Sequence, residues 1–256
     1  MVWPLVDAAV LAAVGVRFAM TAHGQTNYGE AMRSELFAYT DSPMTIDPDV
    51  AESHRLVWGQ LQLAGTWWSA DELLAIAGRA RAVFAVRHLP PWSRNLPSAV
   101  EGLDTVLPIV DHLTTNPGSI DKEWAMASID ALGDGHYVEL VAVVATTVMI
   151  DMFAACAGVE VEALPPVTPD PGQPSRQRPE GLADIGAHVP MVDPFPYANV
   201  ARALSLVPSA NRLFRTASVP MYSAPGMSDL VWDTPLSRPQ VELVASRVAA
   251  LNECFY

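Results

Sequence analysis

The sequence predicts an all-α protein, and three observations predict it. Apolar residues recur at spacings of three and four along almost the whole 256-residue chain, as in helices that bury one face. Several of these stretches open on helix-capping residues: Asp47-Pro48, Ser69-Ala70-Asp71-Glu72 and Ser237-Arg238-Pro239-Gln240. No alternation of period two lasts more than a few residues, and the β-branched run Val141–Val148 lies in a helical frame without turn signals.

The elements follow in order. Pro4 to about Met20 reads as a helix with one buried face. No basic residues precede this apolar run, Asp7 and Arg17 interrupt it, and it is too short to span a bilayer. A cytoplasmic protein is therefore expected. Asp47 caps a helix that ends near Leu63. The capping box at Ser69 opens a helix to about Arg87, which Pro90-Pro91 stops. Helices from about Ser98 to Leu113 and from Ser119 to Leu132 come next. Asp134 starts a long apolar helix through Ala157, with Gly158 as its C-cap.

Composition then changes. Residues 163–196 hold nine of the 22 prolines and no apolar periodicity, which predicts a linker or a strap laid over the surface. Proline removes backbone donors and disfavours helix at the residue before it, so no helix of three turns is expected there. The stretch separates an N-terminal helical region, residues 1–162, from a C-terminal region, residues 197–256. The second region has helices near Asn199–Val207 and Ser209–Val219, a loop around Pro225-Gly226, and a last helix from Ser237.

Charge narrows the function. The formal net charge of -13 argues against nucleic acid and against anionic membrane surfaces as partners. Lys122 is the one lysine, against fourteen arginines. The two cysteines, Cys156 and Cys254, form no disulfide framework and suit a reducing compartment. Cys156 is expected to be a small buried apolar residue. Trp58, Trp67 and Trp68 are expected in the core. The histidines, among them His54, His112 and His136, show no ligand spacing, so neither a metal nor a cofactor is expected.

The chain also repeats itself. Val138-Glu139-Leu140-Val141-Ala142 recurs as Val241-Glu242-Leu243-Val244-Ala245, 103 residues on, each time near the start of a long apolar helix. A weaker third copy begins at Glu72-Leu73-Leu74. Twelve residues after Glu242 stands Cys254; the same step from Glu139 reaches Asp151, and from Glu72 reaches Phe84. If the repeat is structural, Glu139 and Glu242 should occupy equivalent places. In a copy without a thiol, Glu139 is expected to be structural.

Residues 241–256 read VELVASRVAALNECFY. This segment resembles the alkylhydroperoxidase D / carboxymuconolactone decarboxylase superfamily. Its thiol peroxidase branch carries a glutamate, eleven residues, a cysteine, two residues, a second cysteine, three residues and a histidine. Glu242 and Cys254 match the first two positions, and Asn252 and Tyr256 match the asparagine and the aromatic around them. The second cysteine would be the residue after Tyr256, so the chain reads as cut inside the motif. The resemblance is carried by residues 236–256, with a degenerate first copy over about 69–160.

The resemblance implies repeated helical hairpins and a thiol-dependent peroxidase or disulfide reductase, with Cys254 and Glu242 as catalytic residues. It implies a small hydroperoxide as substrate, a dithiol as reductant and a homo-oligomer. A thiolate attacks peroxide, and the sulfenic acid condenses with a second thiol, which a dithiol donor then resets. On one straight helix Glu242 and Cys254 lie ~18 Å apart, so Glu242 would act through the family's histidine or a water. Without the second cysteine and histidine this chain is expected to be inactive. The alternatives are a non-catalytic helical oligomerisation module and a lactone decarboxylase, which needs no cysteine pair.

Overall fold

The computed structural model describes residues 36–96, 100–196, 199–222 and 236–251. The helix expected over Pro4–Met20, the loop at Pro225-Gly226 and Cys254 lie outside these residues. Eight α-helices dominate the described residues: α1 (Pro48–Leu61), α2 (Ala70–Ala85), α3 (Val106–Thr115), α4 (Lys122–Leu132), α5 (Asp134–Cys156), α6 (Asn199–Arg202), α7 (Pro208–Tyr222) and α8 (Arg238–Leu251). Two-residue strands, β1 (Leu182–Ala183) and β2 (Met191–Val192), pair antiparallel.

The caps that the sequence shows are made. The Asp47 carboxylate accepts the Asp49 N–H, and Pro48 starts α1. Ser69 and Glu72 form the reciprocal capping box of α2. The Asp121 carboxylate takes the Trp124 N–H at the head of α4. Gly158 ends α5 at φ +70°, a left-handed conformation that costs glycine little.

Helix α5 is the axis. It is apolar on all sides, which suits a helix enclosed by protein or by lipid. By length and composition it could cross a membrane, yet most of it is buried inside this fold. It packs against α2, α3, α4 and α7, while α1 packs chiefly against α7. Val57, Trp58, Ile76, Val110, Leu140, Ile150 and Ala217 belong to one continuous core. The C-terminal region thus shares the core of the N-terminal one through α7. Trp58 and Trp68 are buried as expected, whereas Trp67 lies partly exposed at the core margin.

Residues 163–178 run past α1, the α1–α2 loop and the head of α5. The Trp58 indole N–H donates to the Ala163 carbonyl at 2.8 Å, and the Ala64 N–H to Pro171 O at 2.8 Å. Arg176 N–H reaches Thr66 O at 2.7 Å, and Arg178 forks onto the Asp134 carboxylate at 2.9 and 2.7 Å. The span from 163 to 196 carries no helix, and its only regular pairing in the described residues is β1 with β2.

Several boundaries move. The helix expected from Ser98 begins at Val106, because Gly102 turns the chain at φ +81° and the buried Leu103 is used as a plug. The one expected from Ser119 begins at Lys122, after a 3₁₀ turn at Pro117–Ser119. The one expected over Asn199–Val207 is a single turn, broken where Leu204 takes φ +66°. Helix α7 runs past Val219, through Pro220, to Tyr222.

Candidate functional site

Helix α8 carries Glu242. It starts where expected: Ser237 N–H and Oγ both donate to the Gln240 side-chain oxygen, at 2.8 and 2.9 Å. It then runs without a break to Leu251, which puts Leu251 ~14 Å beyond Glu242 along the axis. The Glu242 side chain is 46% exposed and faces Arg238 one turn earlier, at 3.5 Å. Arg238 itself is mostly covered.

Tyr222, at the end of α7, is the neighbour that the motif did not announce. Burial pushes its phenol up to about 12, the Glu242 charge pushes the same way, and Arg238 opposes both. Tyr222, Arg238 and Glu242 therefore stand within electrostatic reach of one another. Nothing in the spacing of residues 222 and 242 foretells this. Cys254 lies outside the described residues; within them Glu242 faces Arg238, with Tyr222 in electrostatic reach.

Glu139, the counterpart of Glu242 in the repeat, is placed quite differently. It is 3% exposed. Its Oε1 accepts the Thr66 N–H at 2.7 Å, and its Oε2 accepts Trp67 N–H at 2.7 Å and Trp68 N–H at 3.0 Å. Ser209 Oγ adds a longer bond to Oε1 at 3.3 Å and pairs with Thr66 Oγ1 at 2.6 Å. One carboxylate thereby fixes three consecutive backbone groups of the α1–α2 loop and ties in the first turn of α7. Gly65 is demanded by this arrangement, because a Cβ there would stand 2.6 Å from Glu139 Oε1. Both oxygens are occupied by protein donors and the side chain is closed off from solvent, which makes Glu139 a structural clamp. The expected equivalence of Glu139 and Glu242 is not found: one helix is enclosed, the other presents Leu243 at 70% and Val244 at 58% exposure.

Asp151, at the thiol position of that copy, is also structural. Arg81 forks onto it at 2.8 and 2.6 Å while lying over the Trp58 ring. Burial raises the Asp151 carboxyl, and Arg81 counters the shift.

A further titratable cluster is closed inside the core. His54 is fully buried, with Nδ1 2.5 Å from the Tyr39 hydroxyl and Nε2 3.1 Å from Met221 Sδ. Phe37 and Phe153 meet its ring edge to face. Burial, with Arg55 adding to it, lowers His54 to about 4, and burial raises the Tyr39 phenol. A neutral ring receiving the Tyr39 proton at Nδ1 and donating from Nε2 to sulfur satisfies both contacts.

Cys156 corrects an expectation. It is a free thiol on the surface rather than a buried apolar residue. In the last turn of α5 Ala154 and the following Ala157 turn inward, while Ala155 and Cys156 lie on the outward face. Among the described residues no cluster of three histidine, cysteine, aspartate or glutamate side chains is arranged to hold a metal ion.

Comparison with protein-family profiles, with curated sequences and with solved structures finds no match to this chain.

Proposed function

We propose that this protein is a thiol-dependent peroxidase or disulfide reductase of the alkylhydroperoxidase D-like type, cytoplasmic, with Cys254 as the reacting thiol and Glu242 as its acid–base group. The observation that carries the reading is the Glu242–Cys254 spacing in the sequence, with Glu242 on a helix whose cap at Ser237 is made. A half-exposed carboxylate beside Arg238 and Tyr222 supports it, since a proton carrier must reach solvent or a relay. In the first step the Cys254 thiolate attacks the distal peroxide oxygen. The O–O bond breaks, sulfenic acid forms, and the alkoxide leaves with a proton from the relay. A second thiol then displaces water to give a disulfide, and a dithiol donor reduces it.

The test uses two proteins: the 256-residue chain, and the same chain continued with a cysteine directly after Tyr256 and a histidine four residues further. With a small organic hydroperoxide and a dithiol, the short chain is expected to form Cys254 sulfenic acid with little turnover. The longer chain is expected to turn over and to lose activity in Cys254→Ser. Turnover that survives Cys254→Ser ends the reading.

The rival reading is a non-catalytic helical module that assembles with copies of itself. What favours it is the apolar surface of α8 at Leu243 and Val244. It predicts oligomers that dissociate in Leu243→Glu, with no thiol chemistry at Cys254.

A further inference from the structure

We propose that the loop Val86–Leu96 is a docking surface for an acidic protein segment, with Trp92 as its apolar anchor. Trp92 is 88% exposed, more than any other large apolar side chain among the described residues. An exposed indole on a loose loop would mean little, but this loop is braced. Leu89 N–H donates to Val86 O at 2.9 Å, and both Ser93 N–H and Ser93 Oγ donate to Pro90 O at 3.0 Å. Arg94 spans the loop, with Nε on Leu89 O and Nη2 on Arg87 O, each at 2.9 Å. Pro90 and Pro91 restrict the backbone further. Little ordering remains to be lost when a partner covers the ring.

Charge selects the partner. No aspartate or glutamate occurs between Glu72 and Glu101, in a chain whose net charge is -13. Arg79 and Arg81 in that stretch are matched by Asp111 and Asp151. Arg87, His88 and Arg94 flank Trp92 in the loop, and Arg87 lies over the Phe84 ring at 3.7 Å from its centroid. Tryptophan and arginine are the residue types in which interface energy concentrates. A cationic loop on an acidic protein favours carboxylates placed beside an apolar side chain, which one protein segment can offer locally. Nucleic acid and anionic bilayers spread negative charge over a wide area and so meet the acidic remainder of the chain, which a short segment confined to this loop need not do.

The probe is a fluorescein-labelled, glutamate-rich peptide carrying two leucines, followed by anisotropy against the full chain. Saturable binding that weakens with added salt is expected. Trp92→Ser and Arg87→Glu should each weaken it by about tenfold or more, and Lys122→Glu, an exposed charge elsewhere, should leave it unchanged. Circular dichroism checks that Trp92→Ser keeps the fold, as a solvent-facing ring should allow. Absence of saturable binding, affinity in the Trp92 and Arg87 variants equal to that of the unaltered chain, or a preference for phosphatidylserine vesicles over the peptide would overturn the proposal.

Discussion

Val138–Ala142 and Val241–Ala245 have the same five residues in the same order. In α5 all five are buried, and the glutamate holds the loop of another helix pair. In α8 none of the five is buried, and the glutamate faces an arginine on its own helix. The difference teaches that a pentapeptide specifies helix but not depth. Depth is set by what packs around it: α5 is enclosed by α2, α3, α4 and α7, whereas α8 has no extensive contact with another described element. The two carboxylates also show how burial converts one side chain from a surface charge into a backbone clamp. A buried carboxylate is tolerated only when its oxygens are saturated, and Glu139 accepts four hydrogen bonds.

The sharpest way to break this comparison is to remove each glutamate. Glu139→Ala should destabilise by ~3–5 kcal/mol, because it strands buried backbone N–H groups. Glu242→Ala should change stability by less than ~1 kcal/mol, the range of an exposed ion pair. Urea unfolding measures both, and equal losses would show that α8 is packed as tightly as α5. Gly65→Ala belongs to the same test. Its new Cβ collides with the Glu139 carboxylate, so it should cost a substantial part of the Glu139→Ala loss, and the double variant should lose less than the sum.

The apolar positions give the next contrast. Leu140→Ala should cost ~2–5 kcal/mol, as buried leucines do. Leu243→Ala, at the matching place in α8, should fall within ~0.5 kcal/mol in the isolated chain, as surface substitutions do. A large Leu243 effect that grows with protein concentration would instead point to a covered α8 and the self-assembling module.

Acid offers a third probe. His54 titrates near 4 in the folded chain and near 6.5 when unfolded, so the unfolded state binds the extra proton between those values. Its contribution to stability is complete above about pH 6.5 and falls as pH drops through this window, by up to ~1.4 kcal/mol per pH unit. His54 joins α1 to Met221 of α7, so acid should loosen that contact before it touches α8. Chemical denaturation across pH should show the slope, and His54→Gln should flatten it. An unchanged slope in His54→Gln would assign the acid sensitivity to other groups.

The smallest expected effect concerns Cys156. As an exposed thiol it should react with a maleimide in the native chain, with stability unchanged within ~0.5 kcal/mol in Cys156→Ser. Protection of Cys156 until the chain unfolds would restore the buried reading of that residue.

The sequence by itself determined what depends on neighbours along the chain. The capping box at Ser69, the proline after Asp47 and the glycine after α5 are local instructions, and each is obeyed. The apolar run from Asp134 already marked a long helix ending at Gly158, and the prolines from 163 to 196 already excluded a long helix there. Tertiary structure decided the rest. Residues 62–68, Glu139 and Ser209 are far apart in sequence, and only packing brings three backbone N–H groups and a hydroxyl onto one carboxylate. Tyr222 comes within electrostatic reach of Glu242 for the same reason, and Cys156 faces water because it lies on the face of α5 turned away from the core, between the buried Ala154 and Ala157. Helix formation is read from residues three and four apart. The depth of a helix, and hence the work of its charged side chains, depends on distant segments that no local period encodes.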